Sequence, residues 1–218
     1  MQVDEIKPYY ELLRKKASQL VIKRVFDIVV SGIMLVLLSP VFLILSVAIM
    51  IDSPGPVFFR QVRVTSYGKS FRIFKFRSMI NNADKLGTQV TVSNDSRITR
   101  VGKVIRKYRL DEICQLLDVF RGTMSFVGTR PEVPKYVDHY TKEMKATLLL
   151  PAGVTSTASI SYKDEDSLLE SADDADEVYV RTILPEKMQY NLRDLKEFSV
   201  MRDFRIMLLT VRAVLRRD

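Results

Sequence analysis

Two adjacent carboxylates, Asp111 and Glu112, are the residues whose type and spacing best suit chemistry. They lie in GKVIRKYRLDEICQLLDVF (102–120), which reads as one helix. Ile113, Leu116, Leu117 and Phe120 recur at helical spacing, and Leu110 extends the stripe. Neighbours on a helix point about 100° apart. The two carboxylates therefore form no flat patch, yet both can reach a site beside the helix. Like charges held close raise one of the two pKa values, which suits two different roles. Arg106, Lys107 and Arg109 occupy the preceding turn. The same spacing also supports a purely structural reading. Lys107–Asp111 at i,i+4 and Arg109–Glu112 at i,i+3 are ordinary surface ion pairs, and on these residues alone that is the commoner case.

Arg130, in Gly128-Thr129-Arg130-Pro131, is the second candidate. An arginine in a stiff Gly/Pro loop offers a preorganised fork to phosphate; a solvent-facing turn arginine is the plainer alternative. Lys75 and Arg77 form a third basic group, which also reads as headgroup attraction. The single cysteine, Cys114, sits in the apolar stripe and reads as packing. One cysteine and one histidine, His139, exclude an intramolecular disulfide, a Cys-based metal cluster and a multi-histidine site within the chain. Metal chemistry must then be carboxylate and oxygen chemistry, which suits Mg²⁺ or Mn²⁺.

These groups need an element to hold them, and the dominant one is apolar. Residues 25–51 read VFDIVVSGIMLVLLSPVFLILSVAIMI, with no charge from Ile28 to Ile51. About 20 apolar residues can cross a bilayer. Ser39-Pro40 falls near the middle, and the Pro40 ring collides with the Val36 carbonyl of a continuous helix. Each half, 28–38 and 41–51, then rises roughly 16 Å at about 1.5 Å per residue, half of a hydrocarbon core of about 30 Å. Arg14, Lys15, Lys16, Lys23 and Arg24 precede the stretch; Arg60, Arg63, Lys69, Arg72, Lys75 and Arg77 follow it. Basic flanks favour the cytoplasmic side. A hairpin that enters and leaves on one side satisfies both flanks; a proline-kinked span remains open, since such helices tolerate proline.

The 218 residues suffice for this element and one globular domain. Residues 8–22 read as an amphipathic helix, on a membrane surface or leading into the hairpin. Strand-like runs at 57–64 and 70–79, joined across Gly68, predict a β-hairpin of imperfect alternation. Residues 80–100 read as a polar loop with short helical turns, and Gly122 ends the 102–120 helix. Residues 125–134 read as a Gly/Pro loop, 135–149 as a helix, and Pro151–Gly153 as a loop. The acid-rich 164–177 reads as solvated helix or loop. Two helices, 186–198 and 200–216, close the chain; the second is basic and amphipathic. The expected fold class is mainly α with a small β-hairpin (α+β). It divides into an N-terminal helix (1–22), a re-entrant membrane hairpin (23–52) and a cytosolic catalytic domain (53–218). With 34 Lys+Arg against 26 Asp+Glu, the net charge of +8 favours anionic partners. The apolar stretch points to lipid and phosphate rather than nucleic acid. No signal peptide is apparent.

Together, KRVFDIVVSGIMLVLLSPVF, KSFRIFKFRSM and IRKYRLDEICQLLDVFRGTMSFVGTRPEVP resemble the bacterial sugar transferase family, the monotopic polyprenyl-phosphate phosphoglycosyl transferases. The match runs from about Lys23 to Pro134, with a weaker echo in DLKEFSVMRDFRIMLLTV. The resemblance implies transfer of a sugar 1-phosphate from a nucleotide sugar, usually a UDP-sugar, to a polyprenyl phosphate, usually undecaprenyl phosphate. UMP leaves, in the first membrane step of surface glycan assembly. It implies Asp111 as nucleophile through a phosphoglycosyl-aspartate intermediate, with Glu112 as its partner. It further implies Mg²⁺ near Asp111, phosphate binding by Arg106 and Arg130, and Ser39-Pro40 as the break of a re-entrant helix. Lys75 joins the expected phosphate-binding set. The implied location is the bacterial inner membrane, catalytic domain on the cytoplasmic face, with lipid as a partner; a homo-oligomer stays open.

The chain departs from the family pattern in places. Many members read Gly-Pro-Arg-Pro where this chain has Gly128-Thr129-Arg130-Pro131. The segment usually resembling P-G-I-T-G-L-A-Q-V-N-G-R reads PAGVTSTASISYKDED (151–166), which bears on nucleotide or sugar recognition. Without a long N-terminal membrane bundle, the sequence resembles the small catalytic-core form. The competing readings are a non-catalytic, membrane-anchored basic module that binds anionic lipid or nucleic acid, and a phosphohydrolase using the same carboxylates.

Overall fold

The computed structural model describes residues 4–83, 95–162, 165 and 174–215. Most of the expected 80–100 loop and the centre of the acidic run lie outside them. The described chain is mainly helical, with two small two-stranded sheets.

The expected 8–22 helix is two helices that part at Lys16. They are α1 (Lys7–Lys15) and α2 (Ala17–Leu37). Ile6, Tyr9 and Leu13 bury against Ala146, Leu149, Leu195 and Phe198, so the apolar face of α1 meets protein. At Leu38, α2 gives way to α3 (Ser39–Asp52) with a 60° bend. Pro40 lies in the first turn of α3 and has no N–H for the Val36 carbonyl. The Ser39 hydroxyl donates to that carbonyl instead, at 2.7 Å. The Ser-Pro pair thus breaks the helix and repairs the hydrogen bond it costs. No single helix among the described residues is long and apolar enough to cross a membrane; α2 and α3 together are.

The usual polarity of a surface helix is reversed on α2. Lys23, Asp27 and Ser31, spaced i, i+4, i+8, are buried, while Val36 and Leu37 are 73% and 71% exposed. The polar stripe of α2 is thus turned to the protein and its apolar side is left outward.

The predicted hairpin forms from β1 (Phe58–Val64) and β2 (Ser70–Phe76), antiparallel, with Gln61 opposite Ile73. Its alternation is imperfect because it is packed on both sides. Ile73 joins Val119, Met124 and Ala152. Phe74 and Phe76 join Ile49, Ile105 and Cys114.

The expected 102–120 helix is broken immediately before the carboxylates. α4 (Arg100–Lys107) stops at Tyr108, Arg109 is left-handed (φ 52°), and a 3-10 turn (Leu110–Gln115) leads into α5 (Leu116–Arg121). Packing explains the break. Ile105 and Cys114 enter one core cluster, yet on a continuous helix they would stand nine steps of about 100° apart, on opposite faces. Gly122 (φ 87°) ends α5 as expected.

Residues 125–134 and 151–153 are not simply loops. β3 (Met124–Val127) pairs in parallel with β4 (Ala152–Thr155). The expected 135–149 helix is fragmented into α6 (Pro134–Val137) and a 3-10 stretch (Met144–Leu149). The cause is divided packing: Tyr136, Tyr140 and Leu148 enter one cluster, Ala146 and Leu149 another. A short α7 (Thr157–Ser161) follows β4. The closing helices stand where expected, as α8 (Leu184–Lys196) and α9 (Val200–Leu215).

Candidate active site

Asp111 and Glu112 occupy the first turn of the 3-10 segment, straight after left-handed Arg109. The reversal at Arg109 takes them off the side of a helix and sets them at the head of a new one. Strand β2 runs beside that turn and contributes Lys75. The loop leaving β3 contributes Arg130. Its path is fixed by Gly128 N–H donating to Thr155 O (3.0 Å) and Gly153 N–H donating to Thr129 O (2.8 Å).

The geometry favours long-range partners over the local helix pairs. Lys75 Nζ donates to Glu112 Oε1 at 3.1 Å. The Arg130 guanidinium reaches both Glu112 oxygens, Nη1 to Oε2 at 3.4 Å and Nη2 to Oε1. Burial opposes ionisation of Glu112, but the charges of Arg130 and Lys75 prevail and hold its carboxyl well below the usual range. Its neighbour goes the other way. Burial pushes the Asp111 carboxyl up, opposed chiefly by the charge of Lys75 and, more weakly, of Arg106 at the end of α4. The two carboxylates thus differ: Glu112 is the fixed anion that holds two cations, and Asp111 is the less committed group.

The five residues singled out for chemistry, Lys75, Arg106, Asp111, Glu112 and Arg130, therefore converge. Ser39 and Pro40 stay at the α2–α3 bend. Arg77 parts company with Lys75: it donates to the carbonyls of Ser53 (2.6 Å) and Pro54 (2.8 Å), and so ties down the turn after α3. Cys114 is fully buried, as expected of packing. Arg63 was not singled out from sequence. It donates to Pro131 O at 3.0 Å and braces the Arg130 loop. Glu132 in the same loop is buried, accepting from Tyr179 Oη at 2.6 Å. Neither carries a local sequence signal, because each contact joins distant segments.

Among the described residues, no group of three or more His, Cys, Asp or Glu side chains could enclose a metal. Asp111 offers one carboxylate, and that of Glu112 is engaged by two cations. This donor set fits Mg²⁺, which commonly binds through one or two carboxylates, substrate phosphates and water.

A sequence profile described as bacterial sugar transferase matches residues 18–217. A UDP-N-acetylgalactosamine-undecaprenyl-phosphate N-acetylgalactosaminephosphotransferase of Aeromonas hydrophila is 37% identical over 197 residues, covering 89% of this chain and 44% of its own length. A UDP-glucose:undecaprenyl-phosphate glucose-1-phosphate transferase of Escherichia coli K12 is 34% identical over 209 residues, 94% of this chain and 42% of its own. A protein of the same description from Caulobacter vibrioides is 32% identical over 200 residues, 90% of this chain and 70% of its own. The chain thus spans less than half the length of the first two. With the profile running through the bent apolar pair, the carboxylates and the Arg130 loop alike, the chain belongs to the bacterial sugar transferase family.

Proposed function

We propose that this chain transfers a sugar 1-phosphate from a UDP-sugar to undecaprenyl phosphate. The observation that carries the reading is the pairing of a half-buried, uncommitted Asp111 with a cationic group assembled on Glu112. An Asp111 oxygen attacks the β-phosphorus. The bond from that phosphorus to the bridging oxygen breaks, and UMP leaves with the bridging oxygen. An oxygen of the lipid phosphate then attacks the same phosphorus, returning the Asp111 carboxylate and leaving a lipid diphosphate sugar. A carboxylate is a weak nucleophile towards a diphosphate until the phosphate charge is neutralised. Lys75, Arg106 and Arg130 supply positive charge for this, and Mg²⁺ held by Asp111 and the diphosphate would add Lewis-acid polarisation. The relatives' names differ in the sugar, so a panel of UDP-sugars is the right test. UMP should be released over many turnovers with at least one of them only when undecaprenyl phosphate and Mg²⁺ are both present; without the lipid, release should stop at about one UMP per enzyme. Sugar phosphate released to water without the lipid would instead indicate a hydrolase, and silence across the panel would indicate a binding module.

The α2–α3 pair dips into the membrane and returns, on this reading, so that the carboxylates sit at the height of a lipid phosphate. The exposed apolar sides of both helices and the bend at Leu38 support it. In a Cys114→Ala background, Ser18→Cys and Ser70→Cys should both be labelled by an impermeant thiol reagent from the cytoplasmic face only. Labelling from opposite faces would replace the hairpin by a kinked span.

A further inference from the structure

The first half of α2 does more than lead into the apolar stretch. Lys23 is 8% exposed and directs Nζ at Val127 O (2.8 Å) and Asp203 Oδ2 (2.5 Å). Asp27, 3% exposed, accepts from the Phe126 N–H at 3.2 Å. One helical turn therefore holds the Phe126 N–H and the Val127 carbonyl at the end of β3, which runs directly into Gly128-Thr129-Arg130. Arg24 works on the other side. Its guanidinium donates to Val119 O (2.7 Å) and Phe120 O (2.9 Å), terminal carbonyls of α5. Carbonyls in the last turn of a helix favour a cation; Val119 O also accepts from the Gly122 N–H at 3.1 Å. The approach is close enough that a Cβ on Gly122 would stand 3.0 Å from Arg24 Nη2. Because α5 continues the turn that bears Asp111 and Glu112, Lys23 and Arg24 grip the two arms whose tips meet in the Glu112–Arg130 pair.

We propose that Lys23 and Arg24 are positioning residues for sugar-phosphate transfer, setting the spacing between the Asp111–Glu112 turn and the Arg130 loop from within the membrane-embedded helix. Their charges are directed at protein carbonyls and Asp203, not at lipid headgroups. The claim rests on the transfer reaction proposed above, so its test includes a readout that does not need turnover.

Removing Lys23 alone leaves Asp203 as a buried charge without its partner, which destabilises in its own right. The decisive variant is therefore Lys23→Met/Asp203→Leu, which removes both charges. A merely structural ion pair is satisfied by that replacement; a tether on Val127 O is not. The double variant should regain the thermal stability of the detergent-solubilised wild-type protein. Its kcat should stay about tenfold or more below wild type, with KM for the nucleotide sugar within about twofold, the loss expected when reacting groups are slightly misplaced. Hydrogen exchange over 124–130 should rise in the same sample while 58–76 keeps its protection. Wild-type kcat in the double variant would overturn the proposal. If wild type itself shows no transfer, the reaction falls and exchange alone judges the clamp: unchanged protection over 124–130 would overturn it. Should the Lys23 variants not accumulate, Arg24→Lys decides. It keeps the charge but loses the fork, and an undiminished kcat with unaltered exchange over 116–122 would refute the positioning role.

Discussion

Asp111→Asn should abolish UMP release, by about 10³-fold or more, while the protein remains folded and membrane-bound. A residue that forms and breaks the covalent bond leaves little behind when its nucleophilic oxygen is replaced by an amide. Stability should hardly respond. Asn has the shape of Asp, and burial already disfavours the Asp111 charge, so the substitution removes a desolvated anion rather than a strong partner. Glu112→Gln is the control with the opposite signature. Its carboxylate anchors Lys75 and Arg130 at 16% exposure of its own side chain, and losing its charge removes the anion to which both cations are bonded. Thermal unfolding should therefore shift downward for Glu112→Gln and stay level for Asp111→Asn. Full turnover in Asp111→Asn would remove the nucleophile assignment. Equal loss of stability in both variants would remove the division of roles between the carboxylates.

The parts of this arrangement readable from sequence are those with a local signal. The apolar run, its Ser-Pro break, the β-hairpin and the last two helices follow from periodicity and turn residues. The five charged residues of the site were each visible as types. What gathers them was not. The reversal at Arg109 serves a core in which Ile105 and Cys114 must face the same cluster, a demand no window of sequence contains. The β3–β4 pair is four residues a side, parallel and closed over a long connection, so it lacks both the alternation and the turn that betray a hairpin. The stripe Lys23, Asp27, Ser31 was legible as a spacing, but polar stripes are ordinarily assigned to water. Here the apolar side is outward and the polar side meets the protein. Ion pairs read from i,i+3 and i,i+4 spacing were displaced for the same kind of reason: Glu112 finds stronger partners in Lys75 and Arg130 once the fold brings them in.

Gly153→Ala should cost both stability and activity, although it adds one methyl group remote in sequence from every charged residue of the site. Gly128, just after β3, and Gly153, in β4, lie backbone against backbone. A Cβ on Gly153 would lie 2.2 Å from the Gly128 nitrogen and 2.2 Å from its oxygen. Both obstacles are backbone, so no flexible side-chain end can yield. Something in the strand pair must move, and the contacts in the way are Gly128 N–H to Thr155 O and Gly153 N–H to Thr129 O. Overpacking costs about 1–3 kcal/mol and each weakened backbone hydrogen bond about 0.5–1.5 kcal/mol. A total of roughly 3 kcal/mol corresponds to a fall in Tm of about 10 °C for a chain of this size. The segment displaced is the one that delivers Arg130, so transfer should fall further than the folded fraction alone explains. Gly68→Ala supplies the contrast. Gly68 also needs its lack of a side chain, for a left-handed φ of 73°, but a Cβ there meets nothing within 4 Å. Its cost should be confined to about 1 kcal/mol of turn strain, with transfer intact. If Gly153→Ala instead melts and turns over like Gly68→Ala, the close approach of the two strands is not what holds Arg130 against Glu112. The bracing by Arg63 on Pro131 O, with Lys23 and Asp27 on Val127 and Phe126, would then have to carry that task.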